Sequence, residues 1–115
     1  MKKFLFSFTY AFKGLQYAFR TQLNFKVHSI SALSAIALGY WLNIGKHDWL
    51  WIFLAIGLVL TAELFNTALE VLVDLVSPEY HPKAGVVKDV SAAAVLITAL
   101  LSIAIGMMVF LPKLF

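Results

Sequence analysis

The sequence predicts an all-α membrane protein, with one amphipathic helix at its amino end followed by three transmembrane helices. Two observations predict this fold. The chain of 115 residues is 62% hydrophobic and 13% charged, whereas soluble domains average about 45–50% and 25%. It also contains three apolar stretches near the roughly 20 residues that a helix needs to cross a bilayer. A soluble chain of this size would expose large apolar patches to water, so residues 1–115 are expected to form one integral membrane domain.

The first segment, residues 1–26, is predicted to be a helix lying on the membrane surface. It holds five of the nine basic residues of the chain and no acidic residue. Its apolar residues recur at spacings of three and four, which is typical of an amphipathic helix. Polar residues such as Lys13 and Arg20 interrupt the apolar run that a signal peptide requires. A soluble core helix or a transit peptide is the alternative interpretation of this segment.

The three apolar stretches, residues 27–44, 49–76 and 90–111, are the predicted transmembrane helices. Residues 43–48 form a turn between the first two, and aromatic residues on both sides of it suit the membrane interface. Residues 77–85 contain two prolines and a glycine and are expected to interrupt the helix. Basic residues concentrate before residue 27 and around the second loop. The positive-inside rule therefore predicts that the amino end and this loop face the cytoplasm.

Acidic residues inside the second apolar stretch are the strongest functional signal in the sequence. Glu63, Asn66, Glu70 and Asp74 share one face of a helix at 100° per residue. A carboxylate at the bilayer centre costs at least about 2.5 kcal/mol, so this face must meet water, a cation or protein. An interhelical polar clamp is the structural alternative, although a neutral side chain would serve it at lower cost.

Two charged residues at the start of the third stretch, Lys88 and Asp89, are placed where a charged soluble ligand could arrive. Lys88 can pair with phosphate, and Asp89 can pair with Lys88 or a metal. Alternatively, they form a pair that reaches toward the interface from a helix end. His28, near the start of the first stretch, is interpreted as a hydrogen-bonding core residue.

The residue run from Glu63 through Asn66 and Glu70 to Asp74, with Pro78-Glu79-Tyr80-His81 and Lys88-Asp89-Val-Ser-Ala-Ala-Ala-Val-Leu, resembles the prokaryotic diacylglycerol kinase family. The family includes the undecaprenol kinases. The resemblance extends from about Lys13 to the end of the third apolar stretch. The region around Asn24-Phe25 and His28, His81-Pro82 and the carboxyl end is more similar to the undecaprenol kinase branch.

The resemblance implies a homotrimer in the bacterial inner membrane that transfers the γ-phosphate of MgATP to a membrane lipid alcohol, either undecaprenol or diacylglycerol. It implies that Glu63 is the general base, that Asn66 lies near the reacting centre and that Glu70 binds Mg²⁺. Further positions match the family's nucleotide site, which faces the cytoplasm. They are Lys3, Tyr10, Gln22, Asp74, Glu79, Tyr80, His81, Lys88 and Asp89.

Gln22 departs from the family pattern, which has a metal-binding glutamate at this position. An amide oxygen can ligate Mg²⁺ but contributes no charge, so Gln22 would hold the metal more weakly. No nucleic-acid partner is expected.

The competing function is a small proton-coupled exporter, since such transporters also carry a membrane-embedded carboxylate. A structural or regulatory membrane subunit is a third possibility. Three predicted spans, several carboxylates on one face and the Lys88-Asp89 pair favour a nucleotide site.

Overall fold

The computed structural model describes all 115 residues and contains four α-helices and no strand. They are α1 (Lys2–Thr21), α2 (Leu23–Leu42), α3 (Lys46–Val76) and α4 (Pro82–Leu114). The predicted all-helical class is confirmed. The helices α3 and α4 are long and apolar enough to cross a membrane. Helix α2 has 20 residues and includes polar side chains in its first two turns. It does not meet the same criterion of length and apolar composition.

A single residue, Gln22, separates α1 from α2. Its backbone is extended, with φ −112° and ψ 110°, and no side chain caps either helix end. The predicted surface helix over residues 1–26 therefore ends at Thr21, and residues 23–26 form the first turn of α2. Apolar periodicity could not reveal this break, because it lies at a residue compatible with a helix.

The loop between α3 and α4 is shorter than the prolines suggest. Pro82 occupies the first turn of α4, where its missing N–H has no helical partner to lose. The Nδ1 atom of His81 accepts a hydrogen bond from the Lys83 N–H at 3.1 Å and caps this helix. Consequently α4 begins at residue 82 rather than near residue 90, and Gly85 lies inside it.

The hydrophobic core lies at one end of the helices, where α2 turns into α3. It contains Ile44, Ile52, Ala55, Ile105, Val109 and Phe110. Asn43 ends α2 in the left-handed conformation, with φ 55°, which asparagine tolerates better than most residues. The Trp49 ring packs on Gly39 and lies between Tyr40 and Phe53, with ring centroids 5.2 and 5.3 Å away. This packing closes the end of the bundle farthest from Glu63, Glu70 and Asp74.

Candidate functional site

The acidic face of α3 passes from buried to exposed along the helix. Glu63 is 1% exposed and Asn66 is 7% exposed. Glu70 is half-buried, and Asp74, one turn further on, is exposed. Helical spacing predicts this arrangement, since residues separated by three and four positions lie on one face. The face therefore connects a buried carboxylate to the protein surface.

Asn66 is held at both ends of its amide. Its Nδ2 atom donates a hydrogen bond to Glu70 Oε1 at 3.1 Å. Its Oδ1 atom accepts a hydrogen bond from the buried Ser91 hydroxyl of α4 at 2.6 Å. Because a carboxylate can only accept hydrogen bonds, the NH₂ group of the amide faces Glu70, and the amide oxygen is left to accept from the Ser91 hydroxyl. The three side chains form a polar connection between α3 and α4.

Glu63 has few partners for a buried carboxylate. The Nε2 atom of His28, on α2, lies 3.2 Å from its Oε1 atom. The two atoms are within ion-pair distance, but Oε1 has no partner with hydrogen-bond geometry and is the one buried side-chain N or O atom in that condition. Thr67 donates its hydroxyl to the Glu63 carbonyl at 2.9 Å, which leaves the carboxylate itself unaffected.

Lys88 pairs with Asp74 rather than with its neighbour Asp89. Lys88 Nζ lies 2.7 Å from Asp74 Oδ1, joining α4 to α3 across the open end of the acidic face. Both side chains are exposed to solvent, so water screens the pair and it adds little to stability. A phosphate group can compete for Lys88 here, because the contact with Asp74 is not buried.

The remaining predicted nucleotide-site residues are spread over exposed surfaces. Glu79 and Tyr80 lie in the loop after α3, followed by His81, which caps α4. Lys3 and Tyr10 lie exposed near the amino end of α1, and no hydrogen bond or ion pair joins them to the acidic face. Asp89 is also exposed. Within this one chain, only the residues of α3 and Lys88 are brought together.

Gln22 lies at the joint between α1 and α2 and is half-buried. No group of three or more histidine, aspartate or glutamate side chains converges anywhere in the chain.

Two apolar grooves border α3. One, of about 280 Å³, lies between α2, α3 and α4, and His28 is part of its lining. The other, of about 770 Å³, lies between α1 and α3 and is lined by residues such as Gly14, Leu15 and Leu64. Their walls suit hydrocarbon chains better than polar ligands.

Ser91 and His28 are the site residues that the sequence did not assign. Both act across helices, on Asn66 and Glu63 respectively. Their spacing from α3 in the chain contains no signal of these contacts, which arise only from helix packing. The Lys-Asp-Val-Ser run was part of the family resemblance, but it did not indicate which side chain Ser91 contacts.

Comparisons with known proteins show which family the chain resembles. The profile of the family described as prokaryotic diacylglycerol kinase matches residues 9–110. The undecaprenol kinase of Bacillus subtilis is 39% identical over 99% of this chain and 93% of that protein. The diacylglycerol kinase of Synechocystis sp. is 40% identical over 96% of this chain, which spans 63% of that longer protein. The diacylglycerol kinase of Escherichia coli K12 is 31% identical over 82% of this chain and 77% of that protein.

The chain, which carries a buried carboxylate on a polar face among apolar helices, is thus a membrane-associated phosphotransferase. The chain belongs to the prokaryotic diacylglycerol kinase family. The predicted family and the predicted class of enzyme, a lipid kinase that uses ATP, are confirmed. The relatives named above are all kinases, and they lend no support to the exporter interpretation.

Proposed function

We propose that the protein transfers the γ-phosphate of MgATP to the hydroxyl group of a polyprenol such as undecaprenol, with Glu63 as the general base. The observation that supports this most directly is the buried Glu63 carboxylate, which lies one turn from the Asn66–Glu70 pair and contacts His28, a residue that lines an apolar groove. A lipid hydroxyl can reach such a group from the bilayer, while a nucleotide approaches the exposed end of the face.

Phosphoryl transfer depends mainly on positioning and on neutralising charge. Glu63 accepts the proton of the lipid hydroxyl as the hydroxyl oxygen bonds to the γ-phosphorus, and ADP leaves on the opposite side. Asn66, held by Ser91, keeps its amide beside the reacting groups. Lys88 binds phosphate oxygens once they displace Asp74 from it.

The residues present fit a magnesium ion carried by the nucleotide. Mg²⁺ is usually bound by one or two carboxylates together with substrate phosphates, rather than by a protein cage. This agrees with the absence of a convergent acidic cluster. Glu70 would hold the ion, with Gln22 as a neutral second ligand. When bound, the ion neutralises charge on the phosphate oxygens.

The other nucleotide contacts are proposed from the family resemblance. Asp74, Asp89, Glu79, Tyr80 and His81 border the exposed end of the face or the loop beside it. Lys3 and Tyr10 on α1 lie apart from these residues in one protomer. They would complete a nucleotide site across a subunit boundary, and a homotrimer supplies such a boundary.

The proposed setting is the bacterial inner membrane. The helix α2 then crosses the bilayer with α3 and α4, α1 lies on the cytoplasmic surface, and the Pro-containing loop faces the cytoplasm. The concentration of basic residues in α1 supports this orientation. The extensive exposure of large apolar side chains on α3 and α4 supports the lipid surroundings.

Undecaprenol is proposed as the acceptor because the similarity to the undecaprenol kinase named above extends over nearly the whole of both proteins. Diacylglycerol is the second candidate, supported by 40% identity to a diacylglycerol kinase.

The test is phosphate transfer from labelled MgATP in mixed micelles that offer both lipids side by side. Product from undecaprenol alone is expected. Product from diacylglycerol alone would overturn the acceptor assignment, and no product from either lipid would contradict both acceptors.

A further inference from the structure

We infer that His28 is a positioning residue for Glu63: its imidazole holds the buried carboxylate in the orientation needed to receive the proton of the lipid hydroxyl. The inference rests on the proposed function, in which Glu63 is the base. Neither the family resemblance nor the relatives assigns His28 this role.

The first support is the isolation of the carboxylate. Glu63 Oε1 is fully buried and lacks a hydrogen-bond partner. Placing a carboxylate out of water without a compensating partner costs several kcal/mol. The His28 Nε2 atom, 3.2 Å away, belongs to the one basic side chain within ion-pair distance of Glu63. The contact lacks hydrogen-bond geometry, so electrostatic attraction between the imidazole edge and Oε1 is what limits rotation of the carboxylate.

The second support is the difference between Glu63 and its neighbour Asn66. The Asn66 amide is fixed by two hydrogen bonds, to Glu70 and from Ser91. The Glu63 carboxylate has no such pair of bonds, and His28 is the one side chain in polar contact with it. Within this chain, His28 is therefore the polar side chain placed to orient the base.

The third support is the position of His28 between the base and an apolar groove. Its side chain is 23% exposed, compared with 1% for Glu63. It also belongs to the lining of the 280 Å³ groove between α2, α3 and α4. His28 thus connects the lining of this groove to the buried carboxylate, and a lipid hydroxyl that reaches Glu63 from the groove would have to pass the imidazole.

Helix α2 presents His28 rigidly. The preceding turn is anchored by Phe25, which is buried at 4% exposure. His28 lies in the second turn of the helix, beyond the break at Gln22. A positioning residue on a helix holds its partner more precisely than one on a loop.

Three variants of the full-length protein in mixed micelles test the role. His28→Leu keeps the approximate volume and removes the polar contact. His28→Gln keeps an N–H donor at a similar reach. His47→Leu removes an exposed histidine at the start of α3 and is the matched control.

His28→Leu is expected to lower kcat on the order of 100-fold, the size of effect that misplacing a reacting group produces. The KM for MgATP should stay near that of the wild type, because the nucleotide contacts lie elsewhere. His28→Gln should recover most of the lost kcat, and His47→Leu should match the wild type.

A purely structural histidine would behave differently. Loss of kcat in proportion to lost folded protein, or equal impairment of the Gln and Leu variants, would overturn the inference. So would an unchanged kcat in His28→Leu while the wild type is active and Glu63→Gln is not. In that last case the proposed function survives and only the role of His28 fails. A wild type that phosphorylates no lipid alcohol would overturn both.

A second measurement does not need activity. Thermal unfolding of His28→Leu, Glu63→Leu and the double variant should show less than additive losses, because each single change already breaks the same contact. Additive losses would show that the two side chains do not interact.

Discussion

At the scale of single residues, the Glu63 carboxylate is the most unusual group in the chain. Only 15 of 115 residues are buried, and the largest side chain buried below 2% exposure is this glutamate. A membrane protein retains an ionisable group at such a position for function, because a neutral side chain would be less costly there. Removing the charge is therefore expected to lower activity.

Glu63→Gln should abolish turnover, a fall of at least about 100-fold in kcat, because the amide cannot accept the proton of the lipid hydroxyl. Binding of MgATP should change little, since the nucleotide site lies toward Glu70 and Lys88. Transfer from labelled MgATP and nucleotide binding to the same preparation measure both effects. Asp48→Asn, the same chemical change in the first turn of α3, should leave both unaffected. Loss of nucleotide binding in Glu63→Gln would contradict the assignment of the base.

Ser91→Ala should free the Asn66 amide, because it removes the 2.6 Å hydrogen bond to Oδ1. We expect kcat to fall about tenfold and the free energy of unfolding to fall by about 1–3 kcal/mol, the cost of an unsatisfied buried group. Ser102→Ala is the matched control, since Ser102 on α4 also bonds to α3 but only to the Ala55 carbonyl, at 3.3 Å. Equal losses of kcat in the two variants would indicate that Ser91 only joins the helices.

Gln22→Glu should lower the Mg²⁺ concentration needed for half-maximal activity. The added carboxylate contributes a charge that the amide lacks, and about 1.4 kcal/mol of added attraction gives a tenfold change. A magnesium titration at fixed ATP measures it. Gln16→Glu adds the same charge on the exposed surface of α1 and is the control. Unchanged magnesium dependence would exclude residue 22 from the metal site.

The sequence could predict which residues of one helix share a face, but not the contacts between residues of different helices. Helical spacing alone placed Glu63, Asn66 and Glu70 on one face. The contacts of Ser91 with Asn66 and of His28 with Glu63 depend on how α2 and α4 pack on α3. No periodicity within a single element contains that information.

At the scale of elements, the helix count was predictable and the helix ends were not. Proline was interpreted as a helix breaker, yet Pro82 starts α4 because the first helical turn needs no N–H at that position. The break at Gln22 has no proline, glycine or capping side chain to announce it. Both differences move a predicted site residue, since His81 becomes a cap and Gln22 becomes the joint between α1 and α2.

The contact between α2 and α3 at Gly39 is tight enough to test. A Cβ atom at this position would lie 2.7 Å from the Trp49 ring, closer than atoms can approach. Gly39→Ala should therefore reduce the free energy of unfolding by about 1–3 kcal/mol. Gly57→Ala, in α3, meets nothing within 4 Å and should leave it unchanged or raise it slightly. Thermal unfolding in one detergent compares them, and equal melting temperatures would contradict the packing at Trp49.

At the scale of the whole molecule, the absence of cysteine makes the orientation measurable. Single variants Lys46→Cys and Lys83→Cys place one thiol in each predicted loop. With a thiol reagent that cannot cross membranes, intact cells should label residue 46, and residue 83 should react only after lysis. The reverse pattern would place the Pro-containing loop outside and exclude a cytoplasmic nucleotide site there.

The small buried fraction has a consequence for what holds the helices together. Among the buried side chains are Glu63, Asn66, Thr67 and Ser91, while large apolar side chains cover the outside. In hydrocarbon, separating two helices exposes no oily surface to water, so apolar burial gives little reason for them to associate. Cohesion in the membrane then depends on close packing and on the internal polar bonds. The groups proposed to bind and activate substrate are thus also among those that keep α3 and α4 paired. Substitutions that weaken this pairing should therefore also lower activity.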